Sequence, residues 1–426
     1  MSNSIRIGAG LLALAVLFCC GCNTSDSNDA QIRLLNVSQG YGSLDVYAGS
    51  TQEESAVTYG TLSSYFGLAA GSYTLAFNVT GVTTSLQSLS ESFSEKTFQT
   101  FVAYGDTGSF ATLEIGEDVS APASGSAAIE LVDAAPDAGA VDVYFTASDT
   151  ALDDASPTFS NVAGGSISTA GFVNISSGTY RMRVTATGSK TDVRLDVASV
   201  VLASASISSV VISDTTGGVL VNAMILPQQG SLTVDNNTQA RVRAVSGIGV
   251  NAAVDTSVGG ISLLSGAAPN TIGNYGLVAS GSAAVSLDVG GTAISVPDQN
   301  LTAGQDYTLL LWTNAAGGTE ASLISEANGL PAGGDSKIRL LNSMSGLGDP
   351  LSMTVSYTSE ASGIALGDAS VFASVADGTT VPISVTDAGT SASVYSSSPS
   401  LASQGVYTLF MFGTASSPVG TLQADR

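Results

Sequence analysis

A chain of 426 residues with no histidine has a short list of reactions open to it. The absence removes Ser-His-Asp triads, Cys-His pairs, imidazole metal sites and the usual general base near neutral pH. The three lysines are Lys96, Lys190 and Lys337, and Phe93, Thr187 and Gly334 stand three places before them, so no Ser-x-x-Lys dyad exists. There is no Gly-x-x-x-x-Gly-Lys-Ser/Thr phosphate loop. Paired carboxylates remain available to a glycosidase among 35 Asp and Glu residues. Asp149, Asp153 and Asp154 crowd one loop and are the candidate ligands for calcium, a hard cation that takes several oxygens. They lack the spaced acids, central Gly and terminal Glu of an EF-hand, so solvated loop acids are the plainer reading. Tyr41, Tyr59 and Tyr65 fall in loop-like stretches and could offer rings to a sugar, whereas Trp312 sits inside the apolar run 307–312 and reads as core. These residues predict a binding or structural role and no enzyme.

The elements that must position them are strands. Hydrophobic residues make up 44%, mostly small or β-branched, with Gly 48 and only 6% aromatics, a composition suited to short strands and tight turns. Charged residues are 11%, against about 25% in ordinary domains, so Ser, Thr, Asn and Gly must cover the surface. The net charge of −23 repels phosphate backbones, and no basic run tracks one, which excludes nucleic acid as a partner. All three Cys lie at Cys19, Cys20 and Cys22, so the body has neither a disulfide nor a thiol nucleophile.

Arg6, the apolar stretch 7–18 and Gly21 before Cys22 have the anatomy of a signal peptide, too short for the roughly 20 residues of a membrane span. The string Leu17-Phe18-Cys19-Cys20-Gly21-Cys22 resembles a bacterial lipobox. That resemblance implies a signal peptide over 1–21, a covalent lipid (diacylglycerol and an amide-linked chain such as palmitate) on Cys22, and a tether over 22–30. Two or more chains, at about 0.8 kcal/mol per buried methylene, make a stable membrane anchor. Cys19 stands where a lipobox usually has Leu, leaving cleavage before Cys20 as an alternative; an ordinary secretory signal is another. Asn23, where Asp would signal inner-membrane retention, implies an exported protein of the outer membrane, facing the periplasm or the surface.

Four segments open alike: Gln31-Ile32-Arg33-Leu34-Leu35-Asn36, Ala128-Ile129-Glu130-Leu131-Val132-Asp133, Ala240-Arg241-Val242-Arg243-Ala244-Val245 and Lys337-Ile338-Arg339-Leu340-Leu341-Asn342. Ile32, Ile129, Val242 and Ile338 are 97, 113 and 96 residues apart, one domain each. Apolar and polar residues alternate as in a strand with one buried face. Second strands follow at 44–47, 141–144, 253–255 and 353–355, then a Gly turn and strand at 71–75, 178–182, 281–285 and 378–381, and late apolar strands at 100–104, 209–212, 307–312 and 407–412. Clusters of Gly, Pro, Asn and Asp mark linkers at 117–126, 227–238 and 329–335. About seven short strands per hundred residues predict an all-β fold of four tandem immunoglobulin-like β-sandwich domains, 31–118, 127–228, 239–330 and 336–426. A single transmembrane β-barrel is the rival, disfavoured by the repeat period and few aromatics.

The second repeat carries Leu131-Val132-Asp133-Ala134-Ala135-Pro136-Asp137-Ala138-Gly139-Ala140-Val141-Asp142-Val143-Tyr144, and later Ser177-Gly178-Thr179-Tyr180. These strings resemble the signature of the domain of unknown function 4397 family, most clearly over 127–226 and moderately over 31–116, with repeats three and four weaker. The resemblance implies tandem copies on envelope or secreted bacterial proteins and no established catalytic activity. Read from the residues, Pro136 fixes one corner of a turn and Asp137 accepts an amide two residues on. The sequence therefore predicts a non-enzymatic envelope protein for adhesion or scaffolding, with a calcium-assisted carbohydrate-binding module as the alternative. Its partners would be the membrane, through the lipid, and an envelope protein or glycan.

Overall fold

The computed structural model describes residues 28–249 and 252–426. The expected leader and Cys22 lie outside the described residues. Within them the chain is all-β, with no α-helix and three single-turn 3-10 segments. Among the described residues no helix is long and apolar enough to cross a membrane.

The first strand shows how each part is built. Ala30–Asn36 sits inside its sheet, parallel to Phe98–Tyr104 with Leu34 opposite Phe101, and antiparallel to the short strands Thr61–Leu62 and Phe66–Leu68 on its other side. Parallel neighbours need a long crossover, and the whole second sheet supplies it. That sheet has the order Thr51–Thr58, Ser43–Ala48, Gly71–Val79, Ser85–Phe93 and is antiparallel throughout. Ile32 and Leu34 point from the first sheet into a cluster with Leu44, Val46, Leu75, Phe77 and Phe101. Burial of each such side chain contributes about 1.5–3 kcal/mol.

The arrangement recurs three times, with Ser126–Ala134 parallel to Ile207–Asp214, Gln239–Gly247 to Asp306–Thr313, and Ser336–Asn342 to Val406–Thr414. Each has its own hydrophobic cluster between facing sheets, giving four two-sheet units in a sandwich-like arrangement. Three sequence expectations shift. The fourth-unit strand expected over 378–381 begins instead at Ile383, after an isolated bridge from Gly378 to Leu401. Thr233–Asp235 adds an edge strand to the second unit inside the stretch read as a linker. The third-unit strand expected from Gly281 is split: Gly281–Ala283 pairs with Gln299–Leu301 in a two-stranded sheet of its own, and Val285–Val289 enters the main sheet.

The opening strands are buried on both faces, not one. Alternation puts Ile32 and Leu34 inward, and Leu35 and Val37 outward. The outward set does not meet water: Leu35, Val37, Val102 and Ile115 of the first unit pack against Val132, Ala134, Val211, Met224 and Leu226 of the second. Val245 and Leu310 of the third unit pack likewise against Leu341, Phe410 and Phe412 of the fourth. The units are joined face to face, one with two and three with four.

Candidate functional site

The charges gather where those faces meet. Arg33 lies between Ile32 and Leu34 and so points outward with Leu35, into the first face-to-face layer. Its Nη2 donates to Glu117 Oε2 at 2.7 Å and its Nε to Thr100 Oγ1 at 2.8 Å, with both charged side chains under 5% exposed. Nη1 crosses to the second unit and donates to the Gly230 carbonyl at 2.8 Å, while the Gln229 backbone N–H donates to Glu117. The ring of Tyr65 lies under the guanidinium, 4.4 Å from its centroid, and the phenol donates to Glu117 Oε2 at 2.9 Å. Burial, then the nearby Glu117 carboxylate, push that phenol above its ordinary value.

The same constellation recurs later in the chain as Arg243, Glu326, Thr308 and Tyr275, with Arg243 and Tyr275 each 210 residues after Arg33 and Tyr65. Here it is doubled, because the fourth unit also contributes charges. Arg243 meets Glu326 and Asp425, and Arg339 meets Glu326 from the facing sheet; all four side chains are at most 2% exposed. Burial alone would raise the Glu326 carboxyl, but Arg339 and Arg243, with the Thr308 and Tyr275 hydroxyls, hold it down to about 2. Asp425 is raised, its burial outweighing Arg243. In the second unit the same place holds Glu130, bonded by the Ser209 hydroxyl at 2.6 Å and raised by burial. Arg33, Arg243 and Arg339 are each answered by a carboxylate, and Glu117 and Glu326 each take several donors, the condition under which a buried ion pair can offset its desolvation.

A third contact joins the two pairs. The Gly217 N–H donates to the Gly304 carbonyl at 3.0 Å, Asn328 N–H to the Gly217 carbonyl at 3.0 Å, and Arg426 Nη1 to the Gly218 carbonyl at 2.8 Å. Gly218 has φ +83, and a Cβ there would lie 2.1 Å from the Gly329 nitrogen, so only glycine permits the approach. Beside it a cavity of about 200 Å³ is lined by Asp106, Asp137 and Asp214. Burial raises the Asp137 carboxyl to about 6 and Asp214 well above its ordinary value, and the neighbouring Asp133 to about 8.

The sequence candidates fall as follows. Tyr65 lines a cleft of about 650 Å³ between the first two units, with Arg33, Gln229 and Gly230. Tyr41 is half-buried against Phe110, ring centroids 5.6 Å apart, and its hydroxyl accepts the Gly108 N–H at 3.0 Å. Tyr59 takes a Gln39 amide bond at 2.7 Å and reaches the second unit at Asn222. The three rings thus serve three different places. Asp149, Asp153 and Asp154 are exposed, and the Lys190 ammonium donates to the Asp153 and Ala155 carbonyls, both at 2.7 Å. Among the described residues no group of three or more acids is arranged to hold a metal ion. Trp312 is partly buried in the layer between units three and four.

The signature residues have structural work to do. The aspartates of Leu44-Asp45-Val46 and Val141-Asp142-Val143 clamp a bulge in the neighbouring strand, accepting Ala56 N–H at 2.9 Å and Asn161 N–H at 2.8 Å. Both bulge residues have left-handed φ, 55 and 52. Asp255 does the same for Gly266 at 2.8 Å. Asp137 departs from expectation: its Oδ1 accepts the Leu330 N–H at 2.7 Å, across the joint between pairs. The Gly139 N–H, two residues on, donates instead to the Pro136 carbonyl at 3.0 Å, and it is Asp133 that accepts the amide two places after itself, from Ala135 at 2.9 Å.

A family model for a domain of unknown function (DUF4397) matches residues 30–144 and 240–349, just over half of the chain. The chain belongs to the DUF4397 family. Both DUF4397 stretches begin on an opening strand, of units one and three, and run into the next unit, the first as far as its second strand and the second through its opening strand alone. The signature at 131–144 therefore falls at the end of the first match, and 145–226 falls outside both. No curated protein matches the chain. Solved structures that match it include one described as a candidate cell adhesion protein of Bacteroides uniformis ATCC 8492, 13% identical, with 48% of this chain and 99% of that one covered and a TM-score of 0.20. Another is the Bacillus anthracis TIE protein, 6% identical, with 66% of this chain and 50% of that one covered and a TM-score of 0.15. Neither likeness carries an argument about this chain.

Proposed function

We propose that this DUF4397 protein is a non-enzymatic, lipid-anchored component of the cell envelope, in which four tandem immunoglobulin-like domains form two fused blocks that present a surface for adhesion or scaffolding. The observation that carries the reading is the pair of buried charge clasps, Arg33–Glu117 and Arg243–Glu326–Arg339. They commit the buried charged groups of the interfaces to joining one unit to the next, as a load-carrying array requires. The anchor at Cys22 and the outer-membrane location belong to the same reading, supported by the lipobox and Asn23.

Export of a tagged chain tests it. A palmitate analogue is expected to label the protein, which sediments with outer membranes, and Cys22→Ser is expected to abolish the label and release the protein. Added protease on intact cells then separates a surface-facing array from a periplasmic one. An unlabelled chain that is soluble from the start would remove the anchor. Turnover of glycans or peptides by purified protein, abolished by an acid-to-amide change, would remove the non-enzymatic reading.

A further inference from the structure

The outer face of the fourth unit carries a feature that the assembly of the blocks does not use. The hairpin between Leu351–Val355 and Thr358–Ile364 pairs Val355 with Thr358, leaving Ser356-Tyr357 as a two-residue turn. Both residues have left-handed φ, 48 and 70. Such turns demand positive φ at both places, which is why Asn-Gly or Gly-Gly usually fills them. The corresponding turn of the third unit does so with Gly259-Gly260, at φ 56 and 82. The fourth unit instead holds a bulky tyrosine there, 89% exposed, so its ring stabilises nothing in the fold. Strain of this kind that the fold does not need points to function.

Beside Tyr357 lies a groove of about 300 Å³ floored by Pro382, Thr354 and Ser384 and edged by Ser396 and Ser397. Its hydroxyls form a row, since Thr354 pairs with Ser384 and Ser384 with Ser396 on three adjacent strands, while the alternate residues Met353, Ile383 and Val385 face the core. Among the described residues no hydrogen bond engages the Thr354, Ser384 or Ser396 hydroxyl, and Ser397 Oγ is buried with no partner there. No residue lining the groove is charged, in a chain of net charge −23.

We propose that the Tyr357 groove binds a neutral saccharide, with the tyrosine ring under the sugar's C–H face and the Thr354–Ser384–Ser396 row meeting its hydroxyls. A cationic or anionic ligand would find no countercharge there. This deepens the adhesion reading by naming a ligand class, and its failure would leave the clasps and the anchor untouched. The test presents the purified protein with neutral cello-, malto-, xylo- and manno-oligosaccharides and with sulfated and uronic-acid glycans on one array, followed by calorimetry on the hits. A neutral series is expected to bind and the charged glycans are not. Tyr357→Gly, which puts in the turn the residue its backbone favours, is expected to keep or raise the melting temperature and to weaken binding at least tenfold. Tyr357→Phe should retain binding, and Ser384→Val should weaken it with the ring intact. Silence across the neutral series, or unchanged affinity in Tyr357→Gly, overturns the proposal.

Discussion

Replacing Glu326 by Gln removes one negative charge from a site where two guanidiniums converge and water does not reach. The carboxyl is held at about 2 by Arg339 and Arg243 against the opposing effect of burial. Set against an ordinary glutamate near 4.3, that depression corresponds to about 3 kcal/mol of stability. Removal of one partner from a buried pair costs about 3–5 kcal/mol in general. A group depressed in the fold contributes fully above its unfolded pKa and loses its contribution as pH falls toward its folded one. The difference between parent and Glu326→Gln should therefore be full at pH 7 and roughly halved at pH 3. Trp312, the only tryptophan, lies in the same inter-unit layer and donates to Ser322 Oγ at 3.0 Å, so its fluorescence reports this clasp. With a urea slope of about 2 kcal/mol per molar, the Trp312 transition should move down by about 1.5 M at pH 7. The exposed Glu320→Gln should stay within about 0.5 kcal/mol. A midpoint within about 0.3 M of the parent, or a gap undiminished at pH 3, would refute the reasoning.

Other outcomes follow from the joint between the pairs. Gly218→Ala places a Cβ against the Gly329 backbone at a left-handed φ, and should cost about 1–3 kcal/mol and raise hydrogen exchange at Gly217 and Asn328, with protection inside each unit unchanged. Asp133, Asp137 and Asp214 are all raised by burial, so the fold binds more protons than the unfolded chain from about pH 4 to about 8. Stability should fall as pH rises through that window, read as a lower melting temperature at pH 8 than at pH 5, and Asp214→Asn should flatten the slope.

The strands were legible in the sequence because apolar alternation and Gly turns are local signals, and the four openings align on them. The interfaces were not. Arg33, Arg243 and Arg339 occupy the polar place of each opening, which by itself reads as a solvated face; only the facing sheet buries them. Glu117 lies 84 residues from Arg33 and inside a stretch that reads as a linker, so no spacing announces the pair. Tyr65 stood out as a loop aromatic, but its Arg33 partner belongs to the same long-range layer. The Val-Asp-Val string was visible as a signature while its role, clamping a bulge across to the next strand, needed the register. Tyr357 is silent in the sequence because a two-residue turn within alternating residues carries no mark of its φ angles.

Opening strands covered on both sides set the smallest portion of this chain that can stand alone. A first unit cut free at 118 would leave Leu35, Val37, Val102 and Ile115 bare, a greasy plate ready to stick to any copy of itself. Two units together hide it. The 210-residue offset that carries Arg33 to Arg243 and Tyr65 to Tyr275 is the spacing from one such doublet to the next. Shortened or extended versions should be soluble when the count of units is even and prone to clump when it is odd.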